Sequence, residues 1–214
     1  MDEHLLRYNK NKELVFIDCE TLNLCLNECY NLPWQIAMLK VKGSKIIDSK
    51  DLYIKWDTDL KISKEAAEIT KYNPQKVEDM GVSPKSAFEQ VKDWLDKSDR
   101  IVGHNILGFD IYLLRILYKK FGEIEGYKKL VYKIIDTNAI AKGIKFGTPY
   151  SPKEDFLPYQ YRMHHTIKRG VKTNLTALGK ENKIDHDYGN LHDALVDLEL
   201  NLKVWDILKW QVEI

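Results

Sequence analysis

Leu14-Val15-Phe16-Ile17 is a short unbroken run of apolar strand formers, the pattern of a strand covered on both faces. Two further strand candidates span Trp34–Val41 and Ile46–Trp56, and Gly43-Ser44 between them reads as a hairpin turn. Helical periodicity takes over at Lys64–Lys71 and returns at Ser83–Leu95, where Ser83 offers a cap and Pro84 suits the first turn. Ile101-Val102 reads as a short strand, Phe109–Phe121 as a helix and Val131–Ile135 as a strand. A short helix after Asp136 and two closing helices from about Asn174 and Asn190 complete the pattern. Strands first, then alternation, predict an α/β fold in which helices flank a mixed β-sheet.

Composition leaves that picture standing. The chain has 214 residues, 44% hydrophobic and 30% charged, which suits one globular domain able to bury its own core without a staple. Cys19, Cys25 and Cys29 are an odd set near the N-terminus with no secretory signal ahead of them, so they read as free thiols in a reducing compartment, the cytoplasm. No histidine follows them at zinc-finger spacing, and Cys19 sits inside the first apolar strand, which argues against zinc. No apolar run is long enough to span a membrane, so no membrane partner is expected.

Net charge is +1, but its distribution is uneven. From Lys142 to Lys172 seven cations (Lys142, Lys145, Lys153, Arg162, Lys168, Arg169, Lys172) face two acids (Glu154, Asp155), a local +5. The segment over 143–173 is long for a connection and carries five aromatics, Phe146, Tyr150, Phe156, Tyr159 and Tyr161. Interleaved cations and rings are how a single strand is held without sequence readout; a packed excursion covering the sheet edge has the same composition.

Three acidic elements stand out. Asp18 and Glu20 end the first strand two residues apart, so alternation puts both on one face, where like charges require a cation unless the strand end is simply solvated. Asp110 shares a helical face with Leu113, Leu114, Leu117 and Phe121; it either complements the helix dipole or carries out chemistry. Asn190-Leu191-His192-Asp193 opens the last helix, with Asp197 one turn on; His192 alone reads as a surface histidine.

Taken in order, Asp-x-Glu on the first strand, His104-Asn105-(x)3-Phe109-Asp110 before a middle helix, and His192-(x)4-Asp197 resemble the three motifs of the DEDDh exonucleases. The resemblance runs from Val15 to about Trp210 and includes Ile135-Asp136-Thr137. Two departures lie at the site. Ile106-Leu107-Gly108 is one residue longer than in many members, with Gly108 able to absorb the difference, and Thr21-Leu22-Asn23 replaces the usual Thr-Thr-Gly.

The resemblance implies a ribonuclease H-like fold over 1–214 and 3′→5′ hydrolysis of single-stranded nucleic acid ends, DNA favoured, to 5′-mononucleotides. It implies Asp18, Glu20, Asp110 and Asp197 as ligands of two Mg²⁺ (or Mn²⁺) ions and His192 as general base. Thr21, His104 and Asn105 become candidates for gripping the terminal nucleotide. Arg162, Lys168, Arg169 and Lys172 become candidates for the strand's phosphates. The expected partners are single-stranded DNA or RNA 3′ ends and, for any proofreading role, a separate polymerase. An exoribonuclease is the rival on the same fold; a nonenzymatic nucleic-acid-binding module is the rival from another class.

Overall fold

The computed structural model describes residues 4–23, 31–58, 61–191 and 193–214. Cys25, Cys29 and His192 lie outside them. Five strands form one mixed sheet: β1 (Glu13–Thr21), β2 (Pro33–Lys42), β3 (Lys45–Tyr53), β4 (Arg100–Gly103) and β5 (Ile134–Asp136), in the order β3-β2-β1-β4-β5. The first three are antiparallel neighbours, whereas β4 runs parallel to β1 and β5 parallel to β4. Gly43 at φ 64 makes the two-residue turn between β2 and β3.

The helices are α1 (Lys64–Thr70), α2 (Pro74–Met80), α3 (Pro84–Lys97), α4 (Asp110–Lys120), α5 (Ile124–Val131), α6 (Thr137–Phe146), α7 (Phe156–His165), α8 (Leu175–Glu181) and α9 (Ala194–Leu208). Alternation along β1 divides the core between two faces. Val15, Ile17 and Cys19 pack with α3 and α4 through Phe88, Trp94, Leu113 and Leu117. Leu14 and Phe16 point the other way, against Leu198, Leu202 and Trp205 of α9. Each such large side chain is buried, worth roughly 1.5–3 kcal/mol relative to exposure. The same alternation continues into the acids, so Asp18 and Glu20 share the face of Phe16 and look toward α9.

Three expectations need correction. Val131–Ile135 is not one strand: α5 runs through Val131, and β5 begins only at Ile134. Leu130 is the buried side of that helix, and Lys133 after it donates to the carbonyls of Leu95, Asp96 and Ser98. The strand expected to reach Trp56 ends at Tyr53, where Ile54 bridges instead to Val82.

The last helix, expected to open at about Asn190, begins at Ala194 behind the Asp193 cap. The long segment after residue 143 is the packed excursion that its composition allowed. Continuing α6 to Phe146 and adding α7, it packs against the sheet. Tyr159 of α7 is fully buried, and its hydroxyl donates to the Thr148 carbonyl at 3.1 Å. Gly143 makes room for that ring, since a Cβ there would lie 1.7 Å from the Tyr159 hydroxyl. Gln160 beside it accepts from the Asp136 N–H at 2.6 Å and donates to the Ile134 carbonyl at 3.0 Å, so a side chain closes the free edge of β5.

Candidate active site

The acids meet at the carboxyl ends of β1 and β4, where parallel strands leave a crevice. Ligand oxygens of Asp18, Glu20 and Asp197 lie within 4.8 Å of one another, two from β1 and one from the first turn of α9. Asp110, at the start of α4, joins them from the side: its Oδ1 accepts the Cys19 N–H at 3.0 Å, between the two β1 acids in sequence. Asp193 caps α9, accepting the Leu195 N–H at 3.1 Å, so its carboxylate serves the helix rather than the cluster.

Crowding shows in the protonation of the acids. Burial, then the charges of Asp110 and Asp197, holds the Asp18 carboxyl well above the usual carboxylate range. Glu20 is pushed up to about 10, first by burial and then by Asp18, Asp197 and Asp110. Burial lifts Asp110 to about 7 against the pull of the Cys19 N–H. Such a set of hard oxygen donors fits a divalent cation, which would relieve the repulsion. The cluster opens on a cleft of about 420 Å³ lined by Asp18, His104, Asn105, Phe109, Asp197 and Asn201, with Leu175 and Leu198.

Most of the residues expected at the site converge there. His104 lies in the cleft wall with Nδ1 3.0 Å from the Thr137 hydroxyl, and burial lowers its pKa to about 4, leaving it neutral. Thr21 is buried at the end of β1, opposite Pro33 of β2, and its hydroxyl donates to the Asn23 carbonyl at 2.7 Å. The longer loop is accommodated in an unexpected way. Asn105 takes the left-handed conformation at φ 62, while Gly108 is needed for space: a Cβ there would sit 2.3 Å from the His164 ring of α7.

The basic aromatic segment divides. Arg162 forms a two-pronged pair with Glu154 at 2.7 and 3.0 Å, and Tyr159 is in the core, so the arginine is already engaged and the tyrosine offers no face to a base. Lys168, Arg169 and Lys172 are exposed around a turn at Gly170, closed by the Val171 N–H to the Lys168 carbonyl at 3.2 Å. That turn leads through buried Thr173 to Leu175 in the cleft wall. Asn201, Leu175 and Phe109 line the cleft although the sequence pattern assigned them no role at the site. Asn201 is one turn beyond Asp197 on α9, and that spacing was the available signal.

The sequence pattern of the Exonuclease (RNase_T) family matches residues 15–205, and the chain belongs to that family. DNA polymerase III PolC-type of Mycoplasma pneumoniae is 28% identical over 205 residues, 96% of this chain and 12% of that polymerase. E. coli exonuclease I, solved in complex with a dT13 oligonucleotide, superposes with a TM-score of 0.70 at 18% identity, over 93% of this chain and 41% of its own. Exonuclease I from Methylocaldum szegediense does so with a TM-score of 0.66 at 16% identity, over 94% and 41%. The chain therefore spans about an eighth of the polymerase and about two-fifths of each exonuclease I. What the solved structures share with it is the fold, the ribonuclease H-like arrangement expected from the motifs. Among the described residues no helix is long and apolar enough to cross a membrane.

Proposed function

We propose that this chain is a metal-dependent 3′→5′ exonuclease that shortens single-stranded nucleic acid ends, DNA in preference to RNA, releasing 5′-mononucleotides. The observation that carries the reading is the convergence of Asp18, Glu20 and Asp197 within 4.8 Å, with buried Asp110 fastened beside them. These four would hold two Mg²⁺ or Mn²⁺ ions, which when bound activate a water and offset charge on the leaving 3′ oxygen.

The remaining roles belong to the chain's own groups. His192 takes the water's proton on an imidazole nitrogen, a role that rests on the family resemblance and on its place one residue before the Asp193 cap. His104 and Asn105, in one cleft wall with Phe109, grip the terminal nucleotide, and Thr21, next to Glu20 on β1, joins them. Lys168, Arg169 and Lys172 attract the backbone phosphates upstream, while Arg162 contributes little because Glu154 neutralises it.

Preference for DNA is supported by the dT13 complex of the E. coli exonuclease I and by the polymerase relative, which also supports a separate polymerase as partner. The chain acts as a single domain over 1–214, and the buried free thiol of Cys19 suits a reducing, cytoplasmic setting. Matched single-stranded DNA and RNA oligonucleotides labelled at either end test the assignment. A 3′ label should appear at once as mononucleotide, a 5′ label should step down one nucleotide at a time, and DNA should be consumed faster. Internal nicking of a circular strand, or loss of the 5′ label first, overturns the reading.

A further inference from the structure

Asp136 sits at the junction of β5 and α6, fully buried and outside the Asp18–Glu20–Asp197 cluster, with its charge felt at Asp110. Its carboxylate accepts four backbone N–H groups. Oδ1 takes those of Asn138 at 2.9 Å and Ala139 at 3.2 Å, which is ordinary capping of α6. The same oxygen takes the Asn105 N–H at 3.0 Å, and Oδ2 takes the Leu107 N–H at 3.1 Å. Both of these lie in the loop between β4 and α4, 29 to 31 residues away in sequence, and no helix cap requires them. Asn105 is the residue held at φ 62, so the carboxylate fixes the loop at its one left-handed position.

Thr137, the next residue, is also fully buried and reaches in two directions. Its hydroxyl donates to Asn201 Oδ1 of α9 at 2.8 Å and stands 3.0 Å from His104 Nδ1. Asn201 follows Asp197 by one helical turn, and both line the cleft together with His104 and Asn105. Two adjacent residues thus tie the loop carrying His104, Asn105 and Phe109 to the helix carrying Asp197.

We infer that Asp136 is a positioning residue for the hydrolytic site: through the Asn105 and Leu107 N–H groups it sets the substrate-facing loop, and Thr137 locks that loop to α9 through His104 and Asn201. The inference rests on the exonuclease reading for its consequence, but the anchor itself is a property of the fold.

Asp136→Asn separates the two duties of the carboxylate. Asparagine is a good cap and its Oδ1 can keep the Asn138, Ala139 and Asn105 contacts, whereas its amide sets a donor against the Leu107 N–H. Amide hydrogen exchange, read residue by residue on the metal-free protein, should rise at least about tenfold at Leu107 and stay unchanged at Asn138 and Ala139. With a single-stranded DNA oligonucleotide KM should rise roughly tenfold, with a smaller change in kcat and Mn²⁺ affinity within about twofold of wild type.

A second pair keeps the test open if that variant does not fold: Thr137→Val removes the hydroxyl at constant shape and should raise KM, while Thr137→Ser should behave as wild type. Unchanged exchange at Leu107, exchange that rises along all of α6, or a Thr137→Val enzyme with wild-type KM each overturns the inference. If wild-type protein hydrolyses no nucleic acid at all, the exonuclease reading fails instead, and the exchange measurement still decides whether the anchor exists.

Discussion

Replacing Asp110 by asparagine should stabilise the metal-free protein, by an amount that grows with pH, while abolishing turnover. Asp110 is 4% exposed, and burial lifts its carboxyl from the usual 3.8 to about 7. A raised carboxylate pKa means that folding favours the protonated form. Its contribution is therefore whole below pH 3.8 and lost as the pH rises through 7. The gap is worth about 4 kcal/mol, of which about 3 kcal/mol disappears between pH 5 and pH 8. For a chain of this length that is roughly 6–12 °C of melting temperature. Asparagine keeps an oxygen for the Cys19 N–H, bonded at 3.0 Å in the native site, and cannot ionise. Asp18 and Glu20 still titrate in both proteins, so the quantity to read is the difference between the two.

Differential scanning fluorimetry in chelator, at pH 5 and pH 8, gives that difference directly. Asp110→Asn should melt above wild type at pH 8 by several degrees more than at pH 5. Millimolar Mn²⁺ should then stabilise wild type more than the variant, because the ion binds only the native cluster. Parallel melting curves across this pH range, or equal gains from Mn²⁺, would refute the argument that Asp110 is a buried, desolvated ligand.

Other outcomes follow from the same geometry. His192→Ala should lower the rate at saturating substrate by about two to four orders of magnitude while Mn²⁺ binding persists, as single-turnover kinetics and a metal titration would show. Neutralising Lys168, Arg169 and Lys172 together should flatten the salt dependence of single-strand binding by roughly 0.7 in log-log slope for each phosphate no longer held, whereas Arg162→Gln should leave the slope nearly unchanged because Glu154 already holds that charge. Tyr159→Ala should lower stability by roughly 3 kcal/mol in a denaturant melt without changing oligonucleotide affinity in the variant that remains folded, since the ring fills a core site under Gly143. Gly108→Ala should displace the His164 ring and raise KM for single-stranded DNA, read from initial rates across substrate concentration.

The acidic site was legible in the sequence through the order and spacing of its three motifs, which resemble the DEDDh set, and periodicity agrees with it. Alternation along β1 puts Asp18 and Glu20 on the Phe16 face, and the 3.6-residue repeat of α4 turns Asp110 inward with Leu113 and Leu117. What escaped is held by polar contacts or by weak patterns. Helix α7 buries Tyr159, Gln160 and Met163, so a glutamine takes a core position, and Pro158 stands in its first turn; neither looks like an apolar stripe. Helix α5 buries only Leu130 and contains Gly126, and its last residue joins Tyr132 to imitate the start of a strand. Helix α2 has seven residues and announces itself only through the Asn73 cap and Pro74. Asp136 and Thr137 matched the family motif, but their partners 29 to 64 residues away in sequence become visible only when the loop and α9 meet in space.

The most direct test of the central claim is turnover of a 5′-labelled single-stranded DNA with a free 3′ hydroxyl, followed as Mg²⁺ or Mn²⁺ is titrated against excess chelator, in wild type and in Asp197→Asn. Without a metal the four carboxylates repel the anionic phosphodiester and offer nothing to offset charge on the leaving 3′ oxygen, so wild type should produce a ladder shortening from the 3′ end only when the metal is present, and the variant should produce none at any metal concentration tested. Appreciable shortening by wild-type protein in excess chelator, or a normal ladder from Asp197→Asn, would contradict the account.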